Sequence, residues 1–188
     1  LKLKEYLEEI AELRGEYCYN KLSDRRMKAV VAMHTFGHPV DLEPLAAVCS
    51  QFNLLLVEDA AESLGSYYKG KHVGNWGELA AFSFNGNKIM TTGGGGAITT
   101  NNSSLAKQLK HLTTTAKVPH QWEFVHDQIG YNYRMPNINA AIGCAQLEQI
   151  PKFLRSKRAL AKQYQDVFEG MQGITCFKEA DFASSNYW

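Results

Sequence analysis

With 188 residues, 45% of them hydrophobic and 21% charged, the chain has the proportions of one globular domain and not of a disordered, collagen-like or membrane-embedded protein. Twenty Lys and Arg against nineteen Asp and Glu leave a net charge of +1, so no global field draws in nucleic acid or an anionic membrane. Cys18, Cys49, Cys144 and Cys176 are widely spaced with no C-x-x-C pair, which fits reduced packing thiols better than a zinc site or a secreted disulfide framework.

Leu3, Leu7, Ile10 and Leu13 recur at helical spacing and predict a surface helix over 1–14, ended by Gly15. The apolar run 28–33 predicts a strand. Asp41 stands as N-cap before a helix to Phe52 with Leu45, Val48 and Cys49 on one face. Leu54 to Val57 is continuous and apolar, as in a strand buried on both faces, and completes a βαβ unit. The Gly- and aromatic-rich stretch from Ser63 to Glu78 reads as a hairpin or ordered loop. It leads into a third strand at 79–84. Gly93 to Gly96 precede a fourth strand at 97–100, and a helix follows over 103–114 from a Ser/Asn cap. Asn137 opens the longest helical pattern, which Pro151 kinks or restarts and Arg155 to Phe168 continue. A further strand is expected at 174–177. No internal repeat or clear linker is visible, and no apolar run reaches membrane-span length. No export signal pattern stands at the start, so a cytoplasmic location is the default expectation.

Ligands of α/β sheets gather outside the carboxyl ends of the strands, which directs attention to the polar residues just after each apolar run. The second run ends in Glu58-Asp59-Ala60-Ala61-Glu62, the third carries Ser83 and runs into Asn85-Gly86-Asn87-Lys88, and the first ends at His34-Thr35-Phe36-Gly37-His38. An acid, a hydroxyl and a lysine on neighbouring strand ends suit a cofactor with a basic ring nitrogen, a phosphate and an aldehyde, which describes pyridoxal phosphate. Asp59 would keep the ring nitrogen protonated, Ser83 would bind the phosphate, and Lys88 would form the Schiff base and shuttle a proton. Each residue alone has a plainer reading: a helix cap or solvated turn for Asp59, a satisfied hydroxyl for Ser83, an exposed amine for Lys88. His34 and His38 have metal spacing only on a helix, which Gly37 and Pro39 oppose, so no metal site is expected. Gly86-Asn87-Lys88 lacks the pattern of a triphosphate-binding loop. The absence of G-x-G-x-x-G after the first strand also disfavours a dinucleotide-binding oxidoreductase.

Taken in order, Glu58-Asp59-Ala60-Ala61-Glu62-Ser63-Leu64-Gly65, Phe82-Ser83-Phe84-Asn85-Gly86-Asn87-Lys88, Thr91-Thr92-Gly93-Gly94-Gly95-Gly96-Ala97 and Gly130-Tyr131-Asn132-Tyr133-Arg134-Met135 resemble the DegT/DnrJ/EryC1/StrS sugar aminotransferases. The resemblance implies an α/β fold. Its form would be a three-layer sandwich on a mixed, mostly parallel sheet, the large domain of the aspartate aminotransferase type (fold type I), truncated at both ends. Residues 1–170 would be the central part of that cofactor-binding domain and 171–188 the start of a small C-terminal domain. It implies pyridoxal phosphate as cofactor, Lys88 as the Schiff-base lysine, Asp59 on the ring nitrogen and Ser83 on the phosphate. Glu62 stands where the family more often has a Gln packed against the cofactor. Asn132 matches an asparagine that reaches the neighbouring subunit's phosphate, which implies a homodimer with shared sites. The implied reaction moves an amino group, usually from glutamate, onto a nucleotide-linked keto sugar. Gly94 stands where many members have an acid; with Asn85-Gly86-Asn87 this resembles the branch acting on UDP-linked 4-keto-6-deoxy-N-acetylhexosamines, as in the bacillosamine and legionaminic acid routes. A related dehydratase branch carries His in place of the lysine, so Lys88 argues against it. Leu1 without a Met and the end at Trp188 read as internal positions of a longer chain. The alternative function is a catalytically silent piece or binding module that keeps the fold.

Overall fold

The structure is a computed structural model that describes residues 2–188. Helix α1 (Lys2–Ile10) is followed by strands β1 (Ala11–Arg14), β2 (Tyr17–Asn20) and β3 (Arg26–Met27), which form a small antiparallel sheet. The helix predicted to run to Arg14 therefore stops four residues short. Gly15 adopts a φ of +62° and turns the chain into a hairpin, pairing Leu13 with Cys18 and Arg14 with Tyr17. Cys18 is fully buried there, whereas Leu13 is 48% exposed, so backbone pairing overrides the helical spacing of the leucines.

The central sheet has the strand order β4 (Ala29–Met33), β5 (Leu55–Asp59), β8 (Leu79–Ser83), β9 (Gly96–Thr99). The first three are parallel and β9 is antiparallel to β8. The apolar runs predict the sheet's four strands, and the family resemblance implies its mixed, mostly parallel form. Between β4 and β5 lies α2 (Leu42–Gln51), and between β5 and β8 a small hairpin of β6 (Tyr67–Tyr68) and β7 (Lys71–His72). Asp41 occupies the N-cap position of α2, but its carboxylate makes no cap bond and accepts from the Tyr68 hydroxyl at 2.5 Å, which ties the helix start to the hairpin.

One face of the sheet and the two helices α1 and α2 form the core, which includes Leu7, Ala32, Leu42, Val48, Cys49, Phe52 and Leu56. Burial also raises the thiol pKa of Cys18 and of Cys49, so both stay protonated packing groups. The other face is different: Val31 is 66% exposed, Met33 53% and Leu55 53%. The strand read as buried on both faces is thus buried on one. On this second face a cleft of about 960 Å³ is lined by Ala81, Ser83 and Ile98 of the sheet and by Ala106 and Leu109 of α3 (Ser103–Thr113). The start of α3 is well made, with the Asn102 side chain accepting from the amides of Ser104 and Leu105.

Helices α4 (Asn137–Leu147) and α5 (Ile150–Phe168) are separate, and the break falls at 148–149 so that Pro151 sits in the first turn of α5, where its missing N–H costs nothing. The strand expected at 174–177 does not form. The last strand is β10 (Ala183–Ser184), which pairs antiparallel with β6 and carries the chain end back towards the sheet.

Candidate active site

The carboxyl ends of β4, β5 and β8 lie side by side: Met33 is in register with Asp59, and Asp59 with Ala81. Alternation sends Glu58 into the core and puts Asp59 on the opposite face, with Ala81 and Ser83.

Glu58 explains why these strand ends are held in one place. It is fully buried, and so is His34 at the end of β4. Glu58 Oε1 accepts from the amides of Trp76 and Gly77, each at 2.8 Å, and Oε2 from the Gly74 amide at 2.7 Å and from His34 Nε2 at 3.1 Å. His34 Nδ1 accepts from the Val40 amide at 3.2 Å, which leaves the ring proton on Nε2, where it donates to Glu58. Burial pushes the Glu58 carboxyl pKa up, but the bonds from His34, Gly74, Gly77 and Trp76 outweigh it and hold the pKa below the usual carboxylate value. The stabilising contribution of the carboxylate is therefore complete above the unfolded value of about 4.3 and is lost as pH falls through the depressed folded value. Urea midpoints are expected to fall between about pH 5 and pH 3 more steeply for this chain than for Glu58→Gln, and parallel curves would contradict this role for the carboxylate. The sequence reading placed His34 only as a rejected metal ligand. It is a core histidine paired with an acid, and the described residues contain no metal-binding cluster.

Beyond the strand ends, the turn Thr35–Gly37 brings Phe36 into the left-handed region at φ 52°, a costly conformation for a bulky residue. Its amide donates to Glu62 Oε2 at 2.8 Å, which helps offset that cost. The second oxygen of Glu62 lies 3.7 Å from Lys88 Nζ, and both side chains are largely shielded, at 21% and 14% exposure. Lys88 Nζ also lies 4.7 Å from the ring centre of Trp188, whose ring stacks on Phe36. Lys88 is therefore an enclosed amine between a carboxylate and an aromatic face, unlike an ordinary loop lysine.

Asp59 Oδ1 accepts from the Ala61 amide at 3.1 Å, and the Asp59 carbonyl accepts from the His34 amide. Ser83 Oγ accepts from the Asn85 amide at 3.4 Å and lines the cleft beside Gly94, Gly95 and Gly96. Gly95 has a φ of +91°, which the tight turn into β9 requires. The structure thus brings Lys88 and Glu62 into contact and sets Asp59 and Ser83 on adjacent strands of one face. Asn132 borders the Ser83 cleft through Arg134, which lines it. It is exposed, bridges to Thr114 and accepts from Arg134 Nε at 3.1 Å. Trp188 and Phe36 were not singled out by the sequence reading, because only the fold brings them to the lysine.

The DegT/DnrJ/EryC1/StrS aminotransferase family model matches residues 19–188. Over 163 residues the chain is 42% identical to a GDP-perosamine synthase of Escherichia coli O157:H7, covering 87% of this chain and 44% of that protein. It is 35% identical over 184 residues to a GDP-perosamine synthase of Vibrio cholerae, covering 95% and 50%. Among solved structures it resembles Helicobacter pylori PseC, an aminotransferase involved in the biosynthesis of pseudoaminic acid, at 31% identity and a TM-score of 0.76 over 81% of this chain and 41% of that one. It also resembles the aminotransferase TlmJ of Streptoalloteichus hindustanus, at 31% identity and a TM-score of 0.81 over 86% and 44%. The chain spans about half the length of these relatives. With the family match running from residue 19 in the second strand to the last residue, this chain belongs to the DegT/DnrJ/EryC1/StrS aminotransferase family.

Proposed function

We propose that the protein these residues belong to transfers an amino group from glutamate to a 4-keto-6-deoxy sugar carried on a nucleotide, with pyridoxal phosphate held at Lys88. The observation that carries the reading is the enclosed Lys88 amine against Glu62, beside the strand end that presents Asp59. The residues fit the cofactor chemically: an amine for the aldehyde, a carboxylate for the ring nitrogen, a hydroxyl for the phosphate. When bound, pyridoxal phosphate supplies an aldehyde and an electron-withdrawing ring that makes the carbon beside the amino nitrogen acidic.

The chain's own residues do the rest. Lys88 would hold the cofactor through its aldehyde and, when freed, its amine would serve as the general base and acid that carries a proton between carbons. The Asp59 carboxylate would keep the ring nitrogen protonated, and the Ser83 hydroxyl would bind the phosphate. Glu62, 3.7 Å from Nζ, orients the amine. Asn132 serves a second copy of the chain, and the homodimer reading is supported by the apolar exposure around it: Trp122 and Phe124 are each 77% exposed, Ile129 84% and Tyr133 72%.

The resemblance carried by Gly94 and Asn85-Gly86-Asn87 points to a UDP-linked N-acetylhexosamine, whereas the GDP-perosamine synthases among the relatives carry GDP in their names. The parent-length protein, given pyridoxal phosphate and glutamate, is expected to release 2-oxoglutarate with a nucleotide-linked 4-keto-6-deoxy sugar. A ratio of kcat/KM between UDP- and GDP-linked substrates above about tenfold, 1.4 kcal/mol of differential binding, identifies the nucleotide. No release with either substrate would contradict the proposed reaction. No described helix is long and apolar enough to cross a membrane.

A further inference from the structure

Residues Ser185–Trp188 form a strap across the outer wall of the Lys88 site. Ser185 and Asn186 are buried, at 1% and 0% exposure. The Asn186 side chain donates through Nδ2 to the carbonyls of Glu62 at 2.8 Å and Leu64 at 2.9 Å, and its Oδ1 accepts from the Trp188 amide at 3.0 Å. Its own amide donates to Ser66 Oγ at 2.9 Å, and the hydroxyls of Ser66 and Ser185 both donate to the Gly37 carbonyl. Behind the strap, Arg158 grips Glu179 through two bonds of 2.9 and 2.7 Å and donates to the Ser185 carbonyl at 2.7 Å. Gly37, at φ +79°, leaves the space that Asn186 fills, since a Cβ there would collide with Asn186 Oδ1. One asparagine thus fastens the backbones of Glu62 and Leu64, the Ser66 hydroxyl and the start of Trp188.

The strap delivers Trp188 to the site. Its ring stacks on Phe36 with centres 5.7 Å apart and an interplanar angle of 20°, and presents its face to Lys88 Nζ. The Trp188 Nε1 atom is buried and has no partner among the described residues, so a donor beside the lysine stands without an acceptor. We propose that Trp188 is a binding residue of the Lys88 site, its ring the wall on which Nζ rests and its indole N–H a donor to an oxygen of the bound ligand. Asn186 is the positioning residue that holds it there.

The proposal rests on Lys88 as the cofactor lysine, so it is tested with and without cofactor. In the cofactor-free chain, reductive methylation with formaldehyde and cyanoborohydride, mapped by mass spectrometry, is expected to modify Lys88 about fivefold faster in Trp188→Leu and Asn186→Ala, the size of one cation–π contact. Trp188→Phe keeps a ring and restores the slow rate, and the exposed Lys107 reacts equally in all. Unchanged Lys88 reactivity in both loss variants overturns the wall. In the unsubstituted chain, pyridoxal phosphate on Lys88 is expected to lower hydroxyl-radical oxidation of Trp188 by about threefold or more, while Trp122, at 77% exposure, stays unchanged. Equal oxidation of Trp188 with Lys88 occupied overturns the ligand contact. Faster methylation in the variants with no cofactor captured on Lys88 overturns the cofactor reading and the ligand contact and leaves the wall standing.

Discussion

Lys88→Ala is expected to abolish covalent capture of pyridoxal phosphate and to lower amino transfer by the parent-length protein by about 10²- to 10⁴-fold, the range for a positioned proton carrier. The prediction is specific because little else depends on this side chain. Lys88 makes one ion pair at 3.7 Å and one contact with an aromatic face. Its loss is expected to change stability by about 1–3 kcal/mol, the range for a hydrogen-bonding partner of a shielded charge, with Glu62 keeping its bond from the Phe36 amide. Absorbance of bound cofactor, turnover and a urea unfolding curve on the same variant separate chemistry from folding. A variant that keeps cofactor absorbance after gel filtration, or that turns over at the parent rate, would show that another amine carries the reaction.

The largest stability effect is expected one residue before Asp59. Glu58→Leu removes a carboxylate that satisfies three backbone amides and His34, and leaves these donors buried without acceptors. The cost is expected at about 3–5 kcal/mol, the range for breaking a buried charged network by removing one partner. Glu58→Gln is the milder probe. An amide oxygen can still serve Trp76 and Gly77, but its NH2 then faces the donors of Gly74 and His34. His34 cannot turn its proton away without losing the bond from Val40, so about 1–3 kcal/mol is expected. Denaturant midpoints at fixed pH measure both. A neutral Glu58→Leu would mean that the strand ends are held by apolar packing alone.

The strand ends were legible because local sequence determines them. The runs ending at Met33, Val57 and Phe84 each have the length and composition of a buried strand, and each gives way to polar residues. That order puts Asp59 and Ser83 at strand ends and Lys88 in the loop just after one, and the parallel pairing of β5 with β8 makes the two strands neighbours. The hairpin at 11–20 was not legible. Leu7, Ile10 and Leu13 keep helical spacing across the boundary, and only pairing with residues 17–20 ends the helix. The Glu58 network was hidden for a related reason. Its donors come from positions 34 and 74–77, and no spacing rule joins them to position 58. Asn186 is more remote still, bonded to residues more than 120 positions earlier. Polar groups of this kind take their partners from the fold, and a sequence reads them only as plain core or loop residues.

The open face of the sheet has the same physical origin. Continuous apolar composition in 54–57 announces burial on both sides, yet Leu55 and Val31 stand more than half exposed. Composition states which surfaces require a cover; it does not state which segment supplies it.

The chemical role of one amine, Lys88, is open to direct measurement. Pyridoxal phosphate is added to the folded chain, reduced with borohydride and mapped by mass spectrometry. The enclosed position of Lys88 against Glu62 and Trp188 predicts a single phosphopyridoxyl adduct on Lys88, and an adduct on any other lysine, or none in a folded sample, would contradict it.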